Sequence, residues 1–132
     1  MKFNIKALKN KVRPLFKLLI FYSCYFKKIT FKTDKNHKKQ IIMIFDGKAK
    51  HGGLVDRFKG IVSGYDIAKK INAEFKIHFV SPFELNVFLS PNEYNWIAEI
   101  KDLSWNPFQT KIIQINNDFN VNPFELVKNS NF

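Results

Sequence analysis

Between Ile41 and Phe79 the chain changes its hydrophobic period twice. Ile41-Ile42-Met43-Ile44-Phe45 is an unbroken apolar run rich in β-branched side chains, the pattern of a strand buried on both faces. Three glycines fall in the next eight residues, Asp46 to Gly53. From there Leu54, Phe58, Ile61, Tyr65 and Ala68 recur at spacings of 4, 3, 4 and 3. This predicts an amphipathic helix to about Ile71 with that row against a sheet. Gly60 and Gly64 let such a helix approach closely at some cost in propensity, and Asn72 is placed to stop it. Phe75-Lys76-Ile77-His78-Phe79 then alternates as a second strand. Strand, glycine-rich loop, helix and strand make a βαβ unit, which expects a right-handed crossover and a parallel pair.

The pattern is weaker on either side. Downstream, Glu84 to Leu89 reads as a short helix, Pro91 to Asn95 as a turn and Lys111 to Ile115 as a third strand. The tail from Asn116 has no clear period beyond Phe124 to Val127, and the Asn-Pro-Phe at 106–108 and 122–124 reads as coincidence. Upstream, Pro14 interrupts any helix begun in the first dozen residues. Lys27 to Gln40 is a lysine-rich linker with one extended stretch at Ile29-Thr30-Phe31. Two regions follow: a basic amphipathic arm and linker over 1–40, and an α/β domain over 41–132.

Charge sharpens that division. Residues 1–50 hold 14 basic and 2 acidic residues, whereas residues 51–132 hold 8 and 9. The positive charge belongs to the arm, which argues against a nucleic-acid reader with a basic stripe on its folded face. Of the 22 basic residues only Arg13 and Arg57 are arginine, so bidentate contacts to bases and phosphates are scarce. Lys, Asn, Ile and Phe together make 64 of 132 residues, a bias that AT-rich coding produces, which sets a mutational origin of part of the charge beside a functional one.

Leu15 to Phe26 is 12 residues with Lys17 inside, too short to span a bilayer, and Lys27-Lys28 stand where a leader peptide needs small residues for cleavage. Lys2, Lys6, Lys9, Lys11, Arg13 and Lys17 beside an aromatic-rich patch fit a helix lying on anionic lipid, and equally a solvated basic leader that packs its apolar residues on the domain. The expected location is cytoplasmic, peripheral on the inner face of the membrane through residues 1–28. Cys24 is the single cysteine, so it forms no intramolecular disulfide and no thiolate metal cluster.

The chemistry concentrates in His51-Gly52-Gly53-Leu54-Val55-Asp56-Arg57. A glycine-rich turn after a strand brings backbone N–H groups to a helix start, where the dipole favours an anion or a sugar hydroxyl. Arg57 in the first turn offers further rigid donors, although it also suits a surface ion pair, and Asp56 suits a first helical turn. The motif lacks the Gly-Lys-Ser/Thr end of a Walker loop and is not G-x-G-x-x-G. Candidate substrate-binding residues are His51, Gly52, Gly53 and Arg57. Asp46, where the first strand ends, is a candidate general base or a turn former. His78 reads as a structural histidine, and His37 as solvated in the linker. Trp96 and Trp105 suit either sugar stacking or packing. The three histidines lack metal-ligand spacing, so neither a metal nor a cofactor is expected.

Gly52 to Ser63 resembles the N-terminal motif of bacterial fucosyltransferase-like glycosyltransferases, a superfamily with nodulation, α-1,2-, α-1,6- and protein O-fucosyltransferases. Phe75–Phe79 and the stretch through Pro82-Phe83-Glu84-Leu85, Pro91 and Trp96 extend the likeness over about Ile41 to Trp105. The resemblance implies a Rossmann-like three-layer domain with a parallel sheet, half of a GT-B fold, preceded by a basic helical arm. It implies inverting fucose transfer from GDP-fucose to a glycan acceptor without a metal, in surface-glycan synthesis. Gly52, Gly53 and Arg57 would then lie near donor pyrophosphate or acceptor. Nothing after Trp105 resembles the family's second nucleotide-binding domain. The expectation is therefore an incomplete, truncated or split transferase, inactive alone and completed by a partner chain. The alternative is a non-catalytic membrane-surface binding or adaptor module.

Overall fold

In a computed structural model of the chain, the structure describes residues 38–49, 51–103, 106, 108–113 and 122–128, preceded by single helical positions at Val12, Phe16, Leu19 and Ser23. The expectations for Cys24, His37, Trp105, Ile29 to Phe31 and the remainder of the arm lie outside the described residues.

The strand β1 (Gln40–Phe45), the helix α1 (Leu54–Lys70) and the strand β2 (Glu74–Phe79) form the βαβ unit. The strands pair in parallel, from Gln40 opposite Glu74 to Phe45 opposite Phe79. One face of the pair carries Ile41, Met43, Phe45, Phe75, Ile77 and Phe79. It packs with Ile61 and Ala68 of α1 and is closed by Phe83, Leu85 and Trp96. On the other face Ile42 and Ile44 meet Leu103 and Ile112, which belong to irregular chain. The architecture is thus α/β with a two-stranded parallel sheet.

The helix approaches the sheet closely at Gly64, as expected, but is rotated relative to the expected apolar row. Its buried residues are Gly64, Ile67 and Ala68, while Leu54, Phe58 and Tyr65 are exposed. Gly64 explains the shift. A Cβ there would stand 3.0 Å from Phe75 Cε2 and 3.1 Å from Met43 Sδ, so the backbone itself is the contact surface. The bulky neighbours are displaced to the flank, where the Tyr65 ring meets the edge of Phe75 at 5.8 Å. At the other end Asn72 adopts φ 53°. Its N–H donates to Lys69 O, and Ala73 N–H reaches back to Ala68 O at 2.9 Å. This left-handed stop satisfies the last helical carbonyls and turns the chain into β2.

Three expectations are corrected. Lys111 to Ile113 form no strand, and residues 114 and 115 lie outside the described residues. Ile112 contributes packing, and the extra pairing comes from Ile97, which bridges Ile77 in parallel. Ile77 N–H donates to Trp96 O at 2.7 Å and Ala98 N–H to Ile77 O at 2.9 Å. Glu84 to Leu89 yields only a 3-10 turn, Leu85–Val87, without a side-chain cap to start a longer helix. The repeated Asn-Pro-Phe is a shared device: Asn106 Oδ1 accepts from Phe108 N–H at 2.9 Å and Asn122 Oδ1 from Phe124 N–H at 3.0 Å. At the second of these, Pro123 opens a short helix, α2 (Pro123–Lys128).

Candidate ligand site where β1 leaves the sheet

The loop from Asp46 to Gly53 leaves the carboxyl end of β1, the side on which open parallel sheets bind ligands. Its course is set by three local choices. Gly47 has φ +75°, a conformation that side chains other than glycine's adopt at a cost, and a Cβ there would meet Ser81 Oγ at 2.8 Å. Asp46 Oδ1 accepts from Lys48 N–H at 3.0 Å, closing a tight turn. Gly52 is closely approached, since Asp56 Cβ lies 3.0 Å from where its Cβ would be.

Gly53 caps α1 through its backbone alone. Its carbonyl accepts from Arg57 N–H at 3.0 Å, and no side chain caps the first turn. The helix therefore starts with N–H groups that no capping side chain satisfies. Arg57 folds back over this start. Its Nε donates to Gly52 O at 2.9 Å. Its Nη1 donates to Ser81 O in the loop after β2. The guanidinium lies 5.7 Å from the Phe79 ring centroid. One side chain thus joins the exits of both strands, and Nη2 is left without a hydrogen-bond partner among the described residues. The exits are also joined directly, since Phe45 O accepts from both Val80 N–H and Ser81 N–H.

His51 completes the arrangement. Its ring packs against Phe45 at 5.5 Å. Its Nε2 is buried and has no hydrogen-bond partner among the described residues, and Asp46 Oδ1 is 3.8 Å away. Burial lowers the His51 pKa below its ordinary 6.5, and the Arg57 guanidinium lowers it further against an opposing pull from Asp46. The imidazole is held neutral, able to accept or donate one hydrogen bond at Nε2 according to tautomer.

The structure thus brings Asp46, His51, Gly52, Gly53 and Arg57 to one strand exit. Asp46 is occupied by its own turn, and Lys48 Nζ stands 3.8 Å from its Oδ2, so its geometry is that of a loop former and a neighbour to His51. The participation of Ser81 was not legible in the sequence. The only hint was its position directly after a predicted strand, where a carbonyl comes level with the loop after β1. His78 faces away from this site along β2, and its Nδ1 lies 2.9 Å from Ala98 O. Trp96 packs against the core. Among the described residues no group of three or more His, Cys, Asp or Glu is placed to hold a metal ion.

Site chemistry is therefore that of a neutral or anionic oxygen ligand: helix-start N–H groups, one unsatisfied guanidinium nitrogen and one unsatisfied imidazole nitrogen. No family model, no curated protein and no solved structure matches the chain.

Proposed function

We propose that the βαβ unit is the ligand-binding wall of a fucosyltransferase-like glycosyltransferase, the N-terminal, Rossmann-like half of a GT-B enzyme in surface-glycan synthesis. The observation that carries this reading is the uncapped start of α1 with the Arg57 guanidinium hydrogen-bonded to Gly52 O beside it. In this role the N–H groups of Leu54 and Val55 and Arg57 Nη2 take a phosphate or sugar oxygen of GDP-fucose or of the acceptor. His51, its Nε2 enclosed, lines the loop behind this contact, and Asp46 forms the turn that opens that loop.

Binding by one wall is weak and does not exclude water, so turnover requires a second domain facing this loop. The test is an amide NMR titration of the full chain with GDP-fucose at physiological ionic strength, where diffuse attraction to the basic arm is screened. Shifts are expected at Gly52, Gly53, Leu54 and Val55, and Arg57→Lys should remove them while the dispersed spectrum persists. Shifts confined to the arm, or none, would refute the reading.

A further inference from the structure

The rotation that seats α1 through Gly64, Ile67 and Ala68 turns a second apolar row away from the sheet. Leu54, Val55, Phe58, Val62 and Tyr65 are all exposed, Val55 and Val62 by 67% and 61%. At the helical turn per residue they fall within an arc of about 100°, and from Leu54 to Tyr65 the row runs for about 16 Å. Every position of α1 is described, so the face is continuous. Five apolar side chains aligned in water are a surface that a partner covers.

The partner's chemistry is set by the charges at the row's edge and ends. Lys59 and Asp66 lie along one edge, two turns apart, both exposed and neither in an ion pair among the described residues. The first turn carries Asp56 and the last turn Lys69 and Lys70. A two-fold axis at Val62, with two such helices antiparallel, maps this pattern onto its complement. Val62 then meets its own copy, Phe58 comes level with the second copy's Tyr65, and Lys59 with its Asp66. The acidic start of each helix faces the basic end of the other, where the opposed dipoles also attract. Residues 51–132 hold 8 basic and 9 acidic residues, so little net charge on the domain opposes the contact. An anionic bilayer would attract Lys59 but repel Asp56 and Asp66.

We infer that the exposed face of α1 is a self-complementary docking surface for a second copy of this chain, packed antiparallel about Val62. A contact through one pair of helices lies at the small end of specific interfaces, so the dimer is weak and reversible. This inference does not rest on the ligand role of the β1 exit, and its test contains no nucleotide, so either can fail alone. Sedimentation velocity of the full chain is run from about 1 to 500 μM at physiological ionic strength, where repulsion between basic arms is screened. A monomer that becomes a dimer across this range is expected. Val62→Asp, at an exposed position that leaves the dispersed amide spectrum intact, should weaken dimerisation about tenfold or more by placing two like charges on the axis. Lys59→Asp alone sets carboxylate against carboxylate and should weaken it about threefold or more, and adding Asp66→Lys should restore it. A dimer indifferent to Val62→Asp, or a monomer at every concentration, would overturn the inference; in that monomer, NOEs from Val62 to residues 1–37 would assign the row to the chain's own arm. A dimer lost in Val62→Asp but not restored by the charge swap would overturn the antiparallel pairing.

Discussion

Two histidines lie near the same sheet, and their surroundings separate two kinds of buried polar group. His78, on β2, sits beside a carbonyl, and because a carbonyl only accepts, Nδ1 bears the proton directed at Ala98 O. That bond ties β2 to the segment containing Ile97, beside the backbone bridge. His51, in the loop leaving β1, is nearly as enclosed, its side chain 13% exposed, yet its Nε2 has no hydrogen bond among the described residues. Enclosure without a partner costs free energy unless something supplies the missing bond. His78 is therefore a satisfied buried polar group, whereas His51 leaves a polar atom that the proposed ligand role would have to account for.

The comparison can be broken most forcefully through the side chain shared by both exits. Arg57→Ala removes the bonds to Gly52 O and Ser81 O and should lower stability by about 3 kcal/mol in urea unfolding. An unchanged midpoint would mean that the clamp carries no load. His78→Leu orphans the Ala98 carbonyl and should cost about 2 kcal/mol by the same measurement. Gly47→Ala places a Cβ against Ser81 Oγ in a left-handed conformation, for a loss of about 1–2 kcal/mol.

The smallest effect is the most diagnostic. His51→Leu removes a polar atom without a hydrogen bond among the described residues, so stability at neutral pH should change by no more than about 0.5 kcal/mol, or rise. Its pH dependence should change as well. Because the folded pKa of His51 lies below 6.5, the unfolded chain binds more protons there. Stability is fully present above pH 6.5 and is lost as pH falls through the folded value. Asp46 and Arg57 face the ring, and Asp46 limits the loss by attracting the imidazolium. Thermal melts between pH 5 and 8 should show this slope in the parent chain and a shallower one in His51→Leu; identical slopes would remove His51 as its source.

Much of this architecture was legible from local pattern. The βαβ order followed from the apolar run at 41–45, the glycines and the alternation at 75–79, and Asn72 marked the helix end through its tolerance of positive φ. The rotation of α1 was not legible, because hydrophobic spacing scores Phe58 and Tyr65 as inward and gives no weight to a glycine, although Gly64 makes the closest approach. The Ile97 bridge was hidden for a related reason: a single pair of backbone bonds needs no apolar run. At the candidate site, the meeting of Gly52, Gly53 and Arg57 could be expected from adjacency. The Ser81 carbonyl could not, since it arrives from a different loop and takes part through its backbone.

The account rests on the proposed ligand reaching the β1 exit beside His51 and not the surroundings of His78. Long-range ¹H–¹⁵N spectra of the imidazole rings, recorded while GDP-fucose is added to the full chain, test this most directly. The His51 ring nitrogens should shift with saturation while those of His78 stay fixed. Movement of His78 with His51 unmoved, or no movement of either, would contradict it.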